Sequence, residues 1–200
     1  PVQDGERFAG LKPVKATVTV QPERAKAISD VLLGAFFEDI NYSADGGLYA
    51  ELIQNRDFEY DPSDREGDKN WNSTHSWTLK GDKTTFTINT SDPIHANNPH
   101  YAVLNVERPG AALENTGFDG IALNVGEKYD FSIFARVPQG QSNKLQVRLV
   151  DGEGNICGET SLTVSSRQWK TYKTVITATA TAVARLEIIP HSAGELNLDM

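Results

Sequence analysis

From residue 71 to 200 the chain is a succession of short segments rich in Val, Ile, Thr and aromatic residues. Turn chemistry breaks them at near-regular intervals: GDK, RPGA, VGEK, PQGQ, DGEGN and SAGE. Segments at 76–80, 84–89, 101–106, 120–123, 129–137, 144–150, 156–164, 169–177, 184–189 and 196–200 read as strands. In FSIFAR (131–136) and LQVRLV (145–150) apolar and polar residues alternate, so one face is buried and the other wet. Many short strands between turns predict a mainly β domain, a β-sandwich or jelly roll.

The first third is organised differently. Residues 1–13 mix Pro, Gly and charge and read as an arm; KATVTV (15–20) alternates as a strand does; residues 22–29 read as a connection. An apolar run at 31–37 then meets Glu38 and Asp39, and a glycine-bearing polar turn follows at 41–47. Beyond it Leu48, Leu52 and Ile53 fall at helical spacing. Buried strand, turn and amphipathic helix make one β-α step, the unit of an α/β barrel, and no second step follows. The polar loop DPSDREGDKN (61–70) separates this part from the strands. The predicted organisation is residues 1–56, an arm, a detached strand and one β-α step, then residues 57–200, the sandwich.

A net charge of −8 and a sequence pI near 5.0 leave no basic patch for nucleic-acid phosphates or an anionic membrane. Neither partner is expected. A single cysteine, Cys157, rules out an internal disulfide and a thiolate metal cluster. Nothing approaches the ~20 apolar residues of a spanning helix.

The stretch GAFFEDINYSADGGLYAELIQNRDFEY resembles the N-terminal signature of the family-51 glycoside hydrolases, the α-L-arabinofuranosidases. The blocks DPIHANNPHYAVLNV, NTGFDGIAL and GEKYDFSIFAR resemble the subgroup that carries an inserted carbohydrate-binding-type sandwich, and the likeness runs from about residue 16 to 200. It implies a first β-α step of a catalytic (β/α)8 barrel, and a parent enzyme that removes arabinofuranosyl groups from arabinan or arabinoxylan with retention. In that family the two catalytic glutamates lie in the later barrel, so this chain resembles the front portion and is expected to be inactive alone. Its expected partners are an arabinofuranose-containing plant polysaccharide and the rest of the barrel; its expected location is secreted or periplasmic.

Several residues are candidates for function. The resemblance implies that Glu38 hydrogen-bonds arabinose hydroxyls, with Asp39 and Asn41 on the same loop; the alternative is a carboxylate ending a strand in solvent. Retaining hydrolysis needs two carboxyls about 5–5.5 Å apart, and adjacent Glu38 and Asp39 on a strand point to opposite faces. Trp71, Trp77, Tyr101, Trp169 and Tyr172 are the rings available to stack on a sugar, but a place in the sandwich core is the stronger reading of each taken singly. Asn97 to His100 and the NTGFDG motif (115–120) read as side-chain-capped turns, or as contacts to sugar or barrel. No cofactor is required. Sandwiches of the resembled type do hold a structural Ca2+, which here implies Asp57 or Glu59 with Asp199. Two other functions stand beside the enzyme-fragment reading: an autonomous polysaccharide-binding module, and a structural domain that buttresses the barrel and binds nothing. Solvent-facing rings separate the first from the second.

Overall fold

The computed structural model describes residues 15–27, 42–44 and 46–200. The chain falls into two units, Pro1–Glu38 and Asp39–Met200. In the first, residues 15–27 are exposed, and their regular structure is a single 3-10 turn, Pro22–Arg24. The strand expected at 15–20 is not formed: these residues have no regular secondary structure, and Val18 and Val20 are exposed. Alternation specifies a strand only where another strand accepts its hydrogen bonds.

The second unit contains eleven strands among the described residues: β1 (Trp77–Lys80), β2 (Thr84–Asn89), β3 (Tyr101–Val106), β4 (Ala112–Asn115), β5 (Ile121–Leu123), β6 (Lys128–Arg136), β7 (Asn143–Asp151), β8 (Ile156–Val164), β9 (Lys170–Thr177), β10 (Ala182–Pro190) and β11 (Gly194–Asp199). All pair antiparallel. One sheet runs β1-β4-β10-β7-β8, with β5 also on β10; the other runs β2-β3-β11-β6-β9. This is the two-sheet sandwich that the strand pattern predicts.

The alternation decides which residues fill it. Phe131, Ile133 and Ala135 of β6 point inward, as do Leu145, Val147 and Leu149 of β7. Leu104, Leu113, Leu186, Ile188, Leu196 and Leu198 complete the centre. On the outer face of the first sheet, Glu187 lies opposite both Glu114 and Arg148, and Arg148 opposite Glu159. Lys80 and Arg185 pair with Glu114, and Arg185 also with Glu187, so the row carries its own countercharges.

Two expectations differ from this architecture. The helix predicted from Leu48, Leu52 and Ile53 is absent: residues 46–58 form turns and irregular chain. Ile53 is buried in the sandwich core while Leu48 is 80% exposed, so these side chains share no helical face. Left-handed Asn55 (φ 52°) and Phe58 (φ 59°) would also stop a helix. Conversely, β4 was not anticipated, because ALEN looks like loop sequence. Its Asn115 is buried to 0% exposure and Glu114 to 8%, each with specific polar partners that a pattern reading does not supply.

Candidate functional site

The segment leading into β1 is fastened to one end of the sandwich by buried amides. Asn55 Nδ2 donates to the carbonyls of Asn72 (3.3 Å), Ser73 (3.1 Å) and His75 (3.0 Å), while its Oδ1 accepts from Tyr60 N (3.2 Å). Asn115 Nδ2 donates to Gln54 O (2.9 Å), and its Oδ1 accepts from Gly117 N (2.8 Å). Carbonyls inside tight loops have no ladder partner, and these side chains supply one.

That framework presents a group of rings. Tyr60 stacks on Trp71 with centroids 4.2 Å apart and an 18° interplanar angle. His75 packs 4.7 Å from Trp71 and 5.6 Å from Tyr60, and the Arg65 guanidinium lies 5.0 Å over Trp71. All three rings are half-buried. His75 Nδ1 lies 2.9 Å from Asn70 O, which holds the imidazole in place.

The other rings singled out from the sequence lie elsewhere. Trp77 is buried against Phe58 (5.1 Å) and donates from Nε1 to Asn55 O (2.8 Å). Tyr101 is buried, its ring edge-on to the half-buried Trp169 at 5.2 Å. The Arg136 guanidinium covers both, 4.5 Å from Trp169 and 5.3 Å from Tyr101, and is ion-paired with Asp92. Trp169 Nε1 donates to Asp92 O (2.8 Å), stapling the 90–100 loop to the second sheet. Tyr172 packs on the core, and its hydroxyl accepts from the backbone N–H groups of Ser165 and Ser166. Of the five, Trp71 alone joins a multi-ring stack on the β1 entry loop. Tyr60, Arg65 and His75 escaped the sequence reading; the ring spacing in NWNSTHSW (70–77) was a signal for His75 beside Trp71, and Tyr60 and Arg65 had none. Glu38, Asp39 and Asn41 lie outside the described residues.

Glu59 and Asp199, named for calcium, share a neighbourhood. Asp199 is fully buried; its Oδ2 accepts from Asn98 Nδ2 (2.9 Å) and its Oδ1 from Met200 N (2.8 Å). Burial pushes its carboxyl up to about 8, and the charges of Asp57 and Glu59 push the same way. Glu59 turns both oxygens to His100, accepting from its N–H (2.7 Å) and lying 2.6 Å from its Nδ1. A buried carboxylate repelled by two others has the chemistry of a hard-cation donor set. As arranged, their oxygens are engaged by protein groups, and no ready-made cluster of three ligating side chains occurs among the described residues.

Residues 50–194 match the family model described as a carbohydrate binding domain. The chain belongs to that family. Among curated proteins, the domain and its N-terminal segment are 36% identical over 185 residues to an extracellular exo-α-L-arabinofuranosidase of Streptomyces chartreusis. That alignment covers 91% of this chain and 21% of the relative. Identity to α-L-arabinofuranosidase 1 of Arabidopsis thaliana is 24% over 201 residues, 92% of this chain and 29% of that protein. Among solved structures, an arabinose-bound α-L-arabinofuranosidase of glycoside hydrolase family 51 superposes with a TM-score of 0.69 and 25% identity. The match covers 82% of this chain and 28% of that one. The chain thus spans between a fifth and a third of the length of these relatives.

Proposed function

We propose that this chain is the carbohydrate-binding part of an α-L-arabinofuranosidase acting on arabinan or arabinoxylan, and that its sandwich holds polysaccharide while hydrolysis belongs to a catalytic barrel. The observation that carries this is the continuity of the likeness. One extracellular arabinofuranosidase aligns over 91% of the chain, across the sandwich and the segment before it. Secretion is part of the same reading, since that relative is extracellular. Residues 1–56 then contribute to the barrel, with Glu38, Asp39 and Asn41 contacting sugar. Trp71 is the platform, because a flat ring packed against Tyr60 and His75 loses little freedom when a sugar face packs on it. Asp199 with Glu59 is the proposed seat of a structural Ca2+, which would neutralise the buried carboxylate.

The buttress alternative has an observation in its favour: Trp77 and Tyr101 are spent inside the domain. Affinity electrophoresis decides between them. The 200-residue chain should migrate more slowly in gels containing arabinan or arabinoxylan, and Trp71→Ala should restore most of its mobility. Unretarded migration of the unaltered chain in both gels would leave the buttress role.

A further inference from the structure

β4 and β5 lie in line along one side of β10. Leu186 to Ile188 pair with residues 113–115, and Ala182 to Ala184 with residues 121–123. Between them residues 116–120 leave the sheet. Two left-handed glycines allow it: a Cβ on Gly120 (φ 107°) would stand 2.3 Å from Val183 Cγ1, and one on Gly117 (φ 65°) 2.7 Å from Leu52 O. Here the interruption borders a pocket of about 600 Å³, within the size range of small-ligand sites. Gln54, Arg65, His75, Asp119 and Arg185 are among its lining residues.

Gln54 is the informative residue. It is 4% exposed, its Oε1 accepts from Ser76 Oγ (2.6 Å), and its buried Nε2 has no acceptor. A buried amide donor left unpaired opposes folding, so its retention in a pocket wall calls for an acceptor from outside the chain. The charges nearby define that acceptor. Arg185 is engaged by Asp151 O (2.6 Å), Glu114 and Glu187, Arg65 lies over Trp71, and Asp119 brings an exposed carboxylate. Among the described lining residues Arg185 has its carboxylates, and the charge of Arg65, which has no ion pair, is offset by that of Asp119, so the lining carries no net positive charge for an anion. An amide donor, a carboxylate acceptor and an imidazole ring instead match neighbouring hydroxyls that both donate and accept.

We propose that this pocket binds an uncharged sugar residue, with Gln54 Nε2 donating to a sugar oxygen, Asp119 accepting from a hydroxyl and His75 bordering the ring. This rests on the carbohydrate-binding reading and deepens it: the ligand sits where the β4–β5 line is broken, beside the Trp71 stack, and uronic acids are disfavoured.

The test titrates the 200-residue chain with arabinotriose and, separately, with the galacturonic acid trimer, by calorimetry and by 15N-resolved side-chain amide spectra. Arabinotriose should move the Gln54 Nε2 resonances and bind at least about tenfold more tightly than the acidic trimer. Gln54→Met should weaken binding about tenfold. Asp119→Gly, at an exposed position whose φ of 59° suits glycine, should weaken it without unfolding risk. If arabinotriose binds but neither substitution nor the Gln54 resonances respond, the pocket is wrong and the carbohydrate reading stands. Equal binding of the acidic trimer overturns the neutral-ligand assignment, and no binding of either trimer by the unaltered chain overturns the pocket, while retardation in the polysaccharide gels still decides the carbohydrate reading.

Discussion

Asp199 is where burial and charge act in the same direction on one group. Its folded-state pKa of about 8 lies above the ~3.9 of an unfolded aspartate, so the folded chain keeps a proton that the unfolded chain has released. Stability from this group is therefore full below about pH 4 and declines as pH rises through about 8. In EDTA, the melting temperature of the unaltered chain should fall by at least about 2 °C more between pH 5 and 8.5 than that of Asp199→Asn. Saturating Ca2+ at pH 8.5 should recover that loss in the unaltered chain alone, since a cation binds the carboxylate and not the amide. Parallel pH profiles would refute the raised pKa, and an unchanged melting temperature with Ca2+ would refute the metal seat.

At the scale of elements, the NTGFDG motif turns from a plain loop into a device. Asn115 ends β4 and anchors the excursion by its Oδ1 bond to Gly117 N, and Phe118 meets Tyr42 with centroids 5.0 Å apart. Gly120 then returns the chain to the sheet with a positive φ, where a Cβ would meet Cγ1 of the exposed Val183 side chain. Gly120→Ala forces an alanine at positive φ and pushes the exposed Val183 side chain aside. Urea denaturation should show a loss of about 1–3 kcal/mol. An unchanged midpoint would mean that the excursion shifts freely, and the pocket wall would then not be a fixed surface.

For the whole domain, Phe58 joins the two layers. It is 1% exposed, with ring centroids 5.1 Å from Trp77 in the first sheet and 6.4 Å from Phe86 in the second. Closing a sandwich end with an aromatic plug lets the entry segment share the main core instead of lying on the surface. Phe58→Ala should cost about 3–5 kcal/mol, lowering the denaturation midpoint with an unchanged slope. A loss below about 1 kcal/mol would show that this end is filled by neighbouring side chains on relaxation.

The sandwich itself was legible because strand alternation and turn chemistry are local, and each strand repeats the same two-residue period. Ten of the eleven strands were recognisable in that way, with boundaries displaced by a residue or two. β4 was not, since a Glu and an Asn are buried strand residues here because Arg185 and Gln54 O meet them across the fold. The helical spacing of Leu48, Leu52 and Ile53 misled for the same reason: a single core position for Ile53 outweighs a three-residue pattern. Trp71 was legible as a candidate ring, but not its stack with Tyr60 and His75 or the unpaired amide of Gln54. Local sequence determined which segments become strands and which faces they bury. Where rings stack, which amide lacks a partner and which carboxylates crowd together depend on residues far apart in the chain, and only the tertiary structure decided them.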